Sequence, residues 1–119
     1  MSGPSVALPE YRLLEADPAA CRLELRIASS LPYFEGHFSS TPVLAGIVQL
    51  GWVIELAHRH LGTPRAVGHI GPLKFHRTIT PETSVVAELR LQQREQLLFR
   101  ITSQSNVHAS GTLHFEAAP

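Results

Sequence analysis

Apolar residues occupy nearly every position of residues 43–56, where Gln49 and Glu55 are the polar exceptions. An α-helix that is apolar on all sides is normally buried inside a protein. The stretch is too short and too interrupted to cross a membrane, which takes about 20 mainly apolar residues. We therefore predict one long helix at the centre of the fold.

Signals at both ends delimit this helix. Ser40 or Thr41 suits the N-cap position, and Pro42 suits the first helical position. The sequence His-Arg-His at 58–60 suits the negative C-terminal end of the helix dipole. Gly62 then favours termination. The pattern predicts a helix that begins at Pro42 and ends before Gly62.

Alternation of apolar and polar residues predicts strands on both sides of the helix. Gly71 and Pro72 indicate a bulge within one of them. An antiparallel sheet wrapped round one long central helix is an α+β design, and a second copy of the chain would cover the rest of the helix. We predict an N-terminal arm at 1–10 and a single domain at 11–119. The predicted strands are residues 11–15, 21–28, 67–76, 85–91, 97–102 and 107–116.

Composition narrows the function. The chain has 119 residues, with ten basic and ten acidic side chains, so no attraction to nucleic acid or to an anionic membrane is expected. The single cysteine, Cys21, excludes an internal disulfide and offers no zinc pattern. The N-terminus lacks the features of a signal peptide, which predicts a soluble, cytoplasmic protein.

The segment before the helix carries a motif. Gly36, His37 and Phe38 are followed by Pro42 and then by Gly46. This spacing resembles the GHFPxxPxxPG motif of the hotdog-fold 3-hydroxyacyl-acyl carrier protein dehydratases, in which the motif leads into the central helix. The resemblance implies a single hotdog domain.

Later segments follow the same family order. KFHRTITPETSV, residues 74–85, resembles the family's KFRRPVxPGDxL strand and turn, and VHASGTLHF, residues 107–115, is similar to its closing strand. GIVQLGW, residues 46–52, is most similar to the small branch of aryl-polyene-type pathways. The resemblance covers the chain from about residue 11 to its end.

The resemblance implies roles for matching positions. His37 would be the base that removes the proton beside the thioester carbonyl, since an imidazole titrates near neutral pH. Gly46 would offer its backbone N–H at the helix start to the thioester oxygen. Phe38 would line the substrate site. The family's acid, a Glu or Asp fourteen positions after the histidine, is replaced by Gly51, which would leave room for substrate there.

Two polar residues of the helix are candidates for the site, one as the missing acid and one as a binding residue. Glu55 lies one turn after Gly51, about 6 Å further along the axis, and its side chain leans back towards it. Glu55 is therefore a candidate acid; the alternative is an ion pair with an arginine such as Arg59. Gln49 would bind substrate or orient the His37 loop.

Partners follow from the same resemblance. We expect an acyl carrier protein or coenzyme A thioester as substrate, a homodimer or a higher oligomer of dimers, and no cofactor or metal. Arg59, Arg65, Lys74 and Arg77 are candidates for receiving an acidic carrier protein or a phosphate.

Three functions stay open at this stage. The first is a dehydratase of 3-hydroxyacyl thioesters in fatty-acid or polyene-type synthesis. The second is a hotdog thioesterase, because one fold hosts several chemistries. The third is a non-catalytic acyl-thioester-binding partner subunit, for which the glycine at position 51 argues.

Overall fold

The computed structural model describes residues 7–34, 42–93 and 95–116. Two strands precede a short 3-10 turn and one helix, and four strands follow. All six predicted strands are confirmed, with ends that differ by at most two residues. The elements are β1 Tyr11–Asp17, β2 Ala20–Ile27, the 3-10 turn Pro32–Phe34, α1 Gly46–Leu61, β3 Val67–Phe75, β4 Thr83–Gln92, β5 Gln96–Ser103 and β6 Asn106–Phe115.

The strands form one antiparallel sheet in the order β1-β2-β4-β5-β6-β3. Alternate residues of each inner strand point to the helix, because side chains along a strand alternate between its two faces. In β2 these are Cys21, Leu23, Leu25 and Ile27, all buried. They pack with Trp52, Val53 and Leu56 of α1 in one core, so the predicted α+β architecture is confirmed.

Strand β3 is an edge of the sheet. It pairs only with β6 among the described strands, and its register shifts between Ile70 and Leu73, as the Gly71-Pro72 bulge predicts. Ile70 and Phe75 are about half exposed. A long edge strand with exposed apolar side chains is normally covered by another chain or segment.

Residues 7–10, the last part of the predicted arm, lie against the helix. The indole Nε1 of Trp52 donates a hydrogen bond to the carbonyl of Ala7 at 3.0 Å. The backbone N–H of Ala7 donates to the hydroxyl of Tyr33 at 2.9 Å, and Pro9 is buried. These contacts join the chain before β1 to the centre of α1.

The start of α1 differs from the prediction. The helix begins at Gly46, with Ala45 as an extended N-cap at φ −66° and ψ 146°, so Pro42 is not the first helical residue. Leu44 is buried, and its N–H donates to the carbonyl of Ile79 at 2.8 Å. This tertiary bond holds the chain before Gly46 extended, which local sequence signals do not reveal.

The end of α1 is as predicted. Gly62 adopts the left-handed conformation at φ 73°, and its N–H donates to the carbonyl of His58. Basic residues occupy the last turn. Within the described ranges, no helix has the length and apolar character that crossing a membrane requires.

Candidate active site

The first turn of α1 has no side chain that caps it. Ala45 stands at the N-cap position and has no hydrogen-bonding side chain. The first intrahelical bonds run from the N–H groups of Val48 and Gln49 to the carbonyl of Ala45, at 3.1 and 3.2 Å. The helix itself therefore supplies no acceptor for the N–H groups of Gly46 and Ile47. Together with the helix dipole, these groups form a positive end that suits an oxygen with negative charge.

Apolar side chains surround this polar end. A Cβ atom on Gly46 would lie 2.9 Å from the ring of Phe75, so the ring can rest on the helix start only because residue 46 is glycine. Phe75 is 49% exposed and Ile47 is 75% exposed. Backbone donors without an acceptor among the described residues thus lie beside exposed apolar side chains, an arrangement that suits a thioester carbonyl with an acyl chain.

Gln49 anchors the segment that leads into the helix. Its side chain is buried, and Nε2 donates to the carbonyl of Leu44 at 3.2 Å. Its other polar atom, Oε1, is buried and has no hydrogen-bond partner within the described part of the chain. A buried acceptor without a donor is costly, so this atom is available to the 35–41 loop or to a ligand.

His37 and Phe38 lie outside the described residues. The described chain on both sides of residues 35–41 is attached to α1. On the N-terminal side, the ring of Tyr33 packs edge-on against Trp52, with centroids 5.9 Å apart. On the C-terminal side, Gln49 holds Leu44. The chain on each side of the motif is therefore fixed to the helix that carries Gly46.

Glu55 is engaged by two arginines. Its Oε2 accepts from Nε of Arg59 at 2.9 Å, and its Oε1 accepts from Nε of Arg65 at 2.8 Å. A second bond from Arg65 Nη2 reaches Oε2 at 3.1 Å. Hydrogen bonds from Arg65 and then Arg59 lower the pKa of Glu55 from 4.5 to about 2.

An acid must carry a proton at working pH, and a carboxyl group with this pKa is ionised there. The arrangement of Glu55 matches the ion-pair alternative that the sequence leaves open. Gly51, one turn earlier, is half-buried and brings no side chain to the site. Position 51 therefore has no acidic side chain, and the Glu55 carboxylate is bound to two arginines.

His108 belongs to a network that sequence reasoning missed. Its Nδ1 lies 3.2 Å from the carbonyl of Arg77 and 3.1 Å from that of Thr78, and its Nε2 lies 2.6 Å from the hydroxyl of Ser103. Carbonyls only accept, so Nδ1 carries the proton and the Ser103 hydroxyl donates to Nε2. The buried ring thereby joins β5 and β6 to the segment after β3.

That segment reaches the helix start. The N–H of His76 donates to the carbonyl of His108 at 2.8 Å, and the carbonyl of Ile79 accepts from Leu44. Phe75, the last residue of β3, lies on Gly46. His108 thus helps to hold the chain that flanks the open end of α1. The sequence contained no signal for this, because a histidine in an alternating strand is usually solvated or structural.

The remaining described histidines lie apart from this end of the helix. His58 bonds the carbonyl of Thr63, His60 bonds the hydroxyl of Tyr11, and His69 and His114 pack with ring centroids 5.3 Å apart. Across residues 7–34, 42–93 and 95–116, no three His, Cys, Asp or Glu side chains come together as metal ligands would.

Comparison with known proteins gives a family and a fold. The family described as ApeI-like, ApeI dehydratase, matches residues 14–112. No curated protein matches the chain.

Several solved structures share its architecture. The dehydratase heterocomplex ApeI:P from Xenorhabdus doucetiae superposes with a TM-score of 0.82 at 21% identity, over 91% of this chain and 97% of that one. A dehydratase domain of a mycocerosic acid synthase-like polyketide synthase gives 0.69 at 18% identity, over 98% of this chain and 43% of that one. A hypothetical thioesterase with coenzyme A from Streptococcus pneumoniae gives 0.63 at 10% identity, over 87% of this chain and 82% of that one. The predicted hotdog fold is confirmed.

Proposed function

The chain belongs to the ApeI-like dehydratase family, and from that premise we propose that it removes water from 3-hydroxyacyl thioesters. The observation that carries the proposal is the open end of α1. Ala45 provides no cap, and the N–H groups of Gly46 and Ile47 lie beside the apolar side chains of Ile47 and Phe75. Backbone donors arranged in advance stabilise the oxygen of a thioester as it gains charge.

The proposed reaction is a β-elimination. The imidazole of His37 takes the proton from the carbon next to the thioester carbonyl, and the electron pair of that C–H bond becomes the new C=C bond. The C–O bond to the hydroxyl breaks, and the hydroxyl leaves with a proton as water. The N–H of Gly46 holds the thioester oxygen while negative charge passes through it.

Two further residues would bind the substrate. Phe38, next to His37 in the chain, would contact the acyl group. The free Oε1 of Gln49 would accept a hydrogen bond from the substrate or from the His37 loop, because Nε2 is already committed to Leu44. The acyl donor would be an acyl carrier protein or coenzyme A, in fatty-acid or polyene-type synthesis.

The mechanism also needs a group that donates a proton to the departing hydroxyl. Gly51 has no side chain to supply it, and the Glu55 carboxylate is held ionised by two arginines. We infer that the proton comes from a second hotdog chain paired along β3, whose free edge carries exposed Ile70 and Phe75. The partner is a different dehydratase chain in a mixed dimer, or an identical copy in a homodimer that contributes an acidic side chain other than Glu55.

The same observation supports a second candidate. If the partner supplies both base and acid, this chain is a non-catalytic acyl-thioester-binding subunit. The similarity to a structure of a dehydratase heterocomplex is consistent with a mixed assembly.

The test is turnover of a 3-hydroxyacyl thioester by the purified chain, followed by product analysis. Formation of an enoyl thioester, and its loss in His37→Ala, would support the dehydratase. Release of a free thiol without an enoyl product would instead identify a thioesterase. Binding without any turnover would support the binding subunit.

Light scattering at micromolar concentration tests the pairing. A homodimer would have twice the chain mass of 13.1 kDa. A compact, stable monomer that turns over thioester would contradict pairing along β3.

A further inference from the structure

The cationic side chains of the described chain fall into two groups. Five arginines form ion pairs: Arg12 with Glu24, Arg22 with Glu15, Arg26 with Glu82, and both Arg59 and Arg65 with Glu55. Arg94 lies outside the described residues. The other four form no ion pair with any described residue, and they are Lys74, Arg77, Arg90 and Arg100.

Lys74, Arg90 and Arg100 lie together on the face of the sheet that points away from α1, and Arg77 lies in the segment that follows β3. Lys74 is paired in register with Ser110, Ser110 with Arg100, and Arg100 with Glu88. Directly paired residues of neighbouring strands share a face of the sheet. Arg90 follows Glu88 by two positions on β4 and shares its face. Strands lie about 4.8 Å apart, so the backbones of Lys74 and Arg100 are about 10 Å apart.

The four side chains line two depressions of the surface. One, of about 610 Å³, is lined by His76, Arg77 and Arg100 with hydroxyl and amide groups of Ser105, Asn106 and Ser110. No carboxylate of the described residues lines it.

The second depression, of about 700 Å³, includes Lys74, Arg90 and Arg100. Two of the carboxylates beside it are engaged, since Glu15 pairs with Arg22 and Asp17 accepts from the N–H of Ala19 at 2.8 Å. Neither Asp17 nor Glu88 forms an ion pair with a described residue, so the two depressions together carry five cations, with Arg22 included, against three carboxylates. Because the whole chain has zero formal charge, the two depressions represent a local excess of positive charge.

We propose that this cationic patch, defined as Lys74, Arg77, Arg90 and Arg100, docks the acidic surface of the protein that carries the acyl thioester. The proposal rests on the proposed function, because it takes the acyl chain to be delivered on a carrier protein. The four cations come from three strands and the segment after β3, so they form an array wider than a single phosphate. Separate carboxylates on a protein surface match such an array.

The patch also lies next to the candidate active site. The ring of Phe75 rests on Gly46 from the inner side of the sheet. Lys74, its neighbour in the same strand, points to the opposite face. A carrier on the outer face would thus reach the open end of α1 round the end of β3.

The structure also changes the set of cations that the sequence indicates as candidates for binding a carrier protein. Arg59 and Arg65, candidates from the sequence, are both held by Glu55. Arg90 and Arg100, which lie far apart from them in sequence on β4 and β5, join Lys74 and Arg77 instead.

The experiment compares two matched double variants of the full chain. Arg77→Gln/Arg100→Gln neutralises the patch, and Arg12→Gln/Arg26→Gln removes two ion-paired arginines from the same face. Each is assayed with a 3-hydroxyacyl group on an acyl carrier protein of the source organism, on coenzyme A and on N-acetylcysteamine. Circular dichroism verifies that both variants are folded.

We expect Arg77→Gln/Arg100→Gln to lower kcat/KM for the carrier-bound substrate roughly tenfold at low ionic strength, with a weaker dependence on salt. Turnover of the N-acetylcysteamine thioester should be unchanged, and the control variant should match wild type with all three donors. Equal losses with coenzyme A and carrier protein would overturn the proposal, since the patch would then recognise phosphate. Unchanged kinetics with the carrier would overturn it as well.

The outcome for docking is separable from that for catalysis. If the wild-type chain turns over no thioester, binding of the fluorescently labelled carrier protein is measured by anisotropy. A roughly tenfold weaker Kd for Arg77→Gln/Arg100→Gln but not for the control would support docking while the proposed catalysis fails. Equal Kd values for wild type and both variants, or no binding by wild type, would overturn docking.

Discussion

The two ends of α1 differ in how their backbone groups are capped. At the C-terminal end, described residues cap the helix, and only beyond it does the buried hydroxyl of Thr63 have no hydrogen-bond partner among the described residues. Gly62 closes the last turn with its N–H, and His58 Nδ1 bonds the carbonyl of Thr63 at 2.7 Å. Glu55 ties Arg59 in the helix to Arg65 in the loop beyond it.

At the N-terminal end, several polar groups have no partner among the described residues. Ala45 supplies no cap, and the helix has no acceptor for the N–H groups of Gly46 and Ile47. Side chains there are apolar and exposed, with Ile47 at 75%. Gln49 keeps one buried acceptor without a partner among the described residues.

This contrast separates stability from function along a single helix. Helix ends normally gain stability from caps, and an Ala in place of a capping residue costs about 1 kcal/mol. The closed end fixes the helix in the fold, so the open end can keep its donors for a ligand. Changes at the open end should therefore affect activity, and changes at the closed end should affect stability.

The largest effect is expected from His37→Ala, which removes the proposed base. Loss of a positioned base typically costs about 10²–10⁴ in rate. We expect kcat for 3-hydroxyacyl thioester dehydration to fall by that amount while the melting temperature stays the same. His60→Ala, in the last turn of α1, serves as the control and should retain full activity. Retention of activity in His37→Ala would remove the base from the proposed mechanism.

The next largest effect is expected from His108→Ala, which removes the side chain that holds the segment beside the open end. It leaves the carbonyls of Arg77 and Thr78 without their donor and creates a cavity, for a combined loss of roughly 2–4 kcal/mol in the free energy of unfolding. Ser103→Ala removes one hydrogen bond and should cost about 1 kcal/mol. Urea unfolding measures both.

Hydrogen exchange sharpens this prediction. In Ser103→Ala, the amide of Leu44 should exchange faster, because its acceptor, Ile79, belongs to the loosened segment. The amide of Gly62 at the closed end should be unaffected. Equal changes at both amides would show that the network does not act on the open end in particular.

A smaller effect on activity is expected from Gly46→Ala. The added Cβ would lie 2.9 Å from the Phe75 ring, which must move to accommodate it. Phe75 is half exposed and can shift, so stability should change by less than about 1 kcal/mol. The displaced ring and helix start should lower kcat/KM about tenfold, because small misplacements at reacting groups are costly. Recovery in Gly46→Ala/Phe75→Leu would assign the loss to the ring.

The closed end was predictable from sequence, and the open end was predictable only in part. Gly62 and the basic residues before it are local signals that both indicate the end of a helix. Alternation in the strands is equally local, so all six strands were correct within two residues. The helix start was predicted at Pro42, four residues early, because the Leu44–Ile79 hydrogen bond joins segments distant in sequence.

The candidate site shows the same limit. Gly46 was identified because the family motif carries it. The contacts of Phe75 and His108 with this region depend on how the sheet folds over the helix, and no spacing in the sequence encodes them. The sequence indicated Arg59 as a possible partner of Glu55, but the second partner, Arg65, depends on the path of the loop after Gly62.

The smallest effect is expected at the closed end, from Glu55→Gln, and it should depend on pH. The folded-state pKa of Glu55, about 2, lies below its ordinary value of 4.5, so folding favours the ionised form. The carboxylate therefore contributes stability above pH 4.5, and the contribution is lost as pH falls towards 2. Its arginine partners are exposed, which limits the contribution to about 1 kcal/mol.

We therefore expect urea unfolding to show wild type more stable than Glu55→Gln by about 1 kcal/mol at pH 7, with the difference shrinking at pH 3. Glu24→Gln, which breaks the more exposed pair with Arg12, should show a smaller difference. Turnover by Glu55→Gln should stay within about threefold of wild type, since the carboxylate is bound to arginines rather than poised as an acid. A loss of about 10² or more in turnover without a loss of stability would reverse this assignment. Glu55 would then leave its arginines during catalysis, and the closed end of the helix would take part in the chemistry.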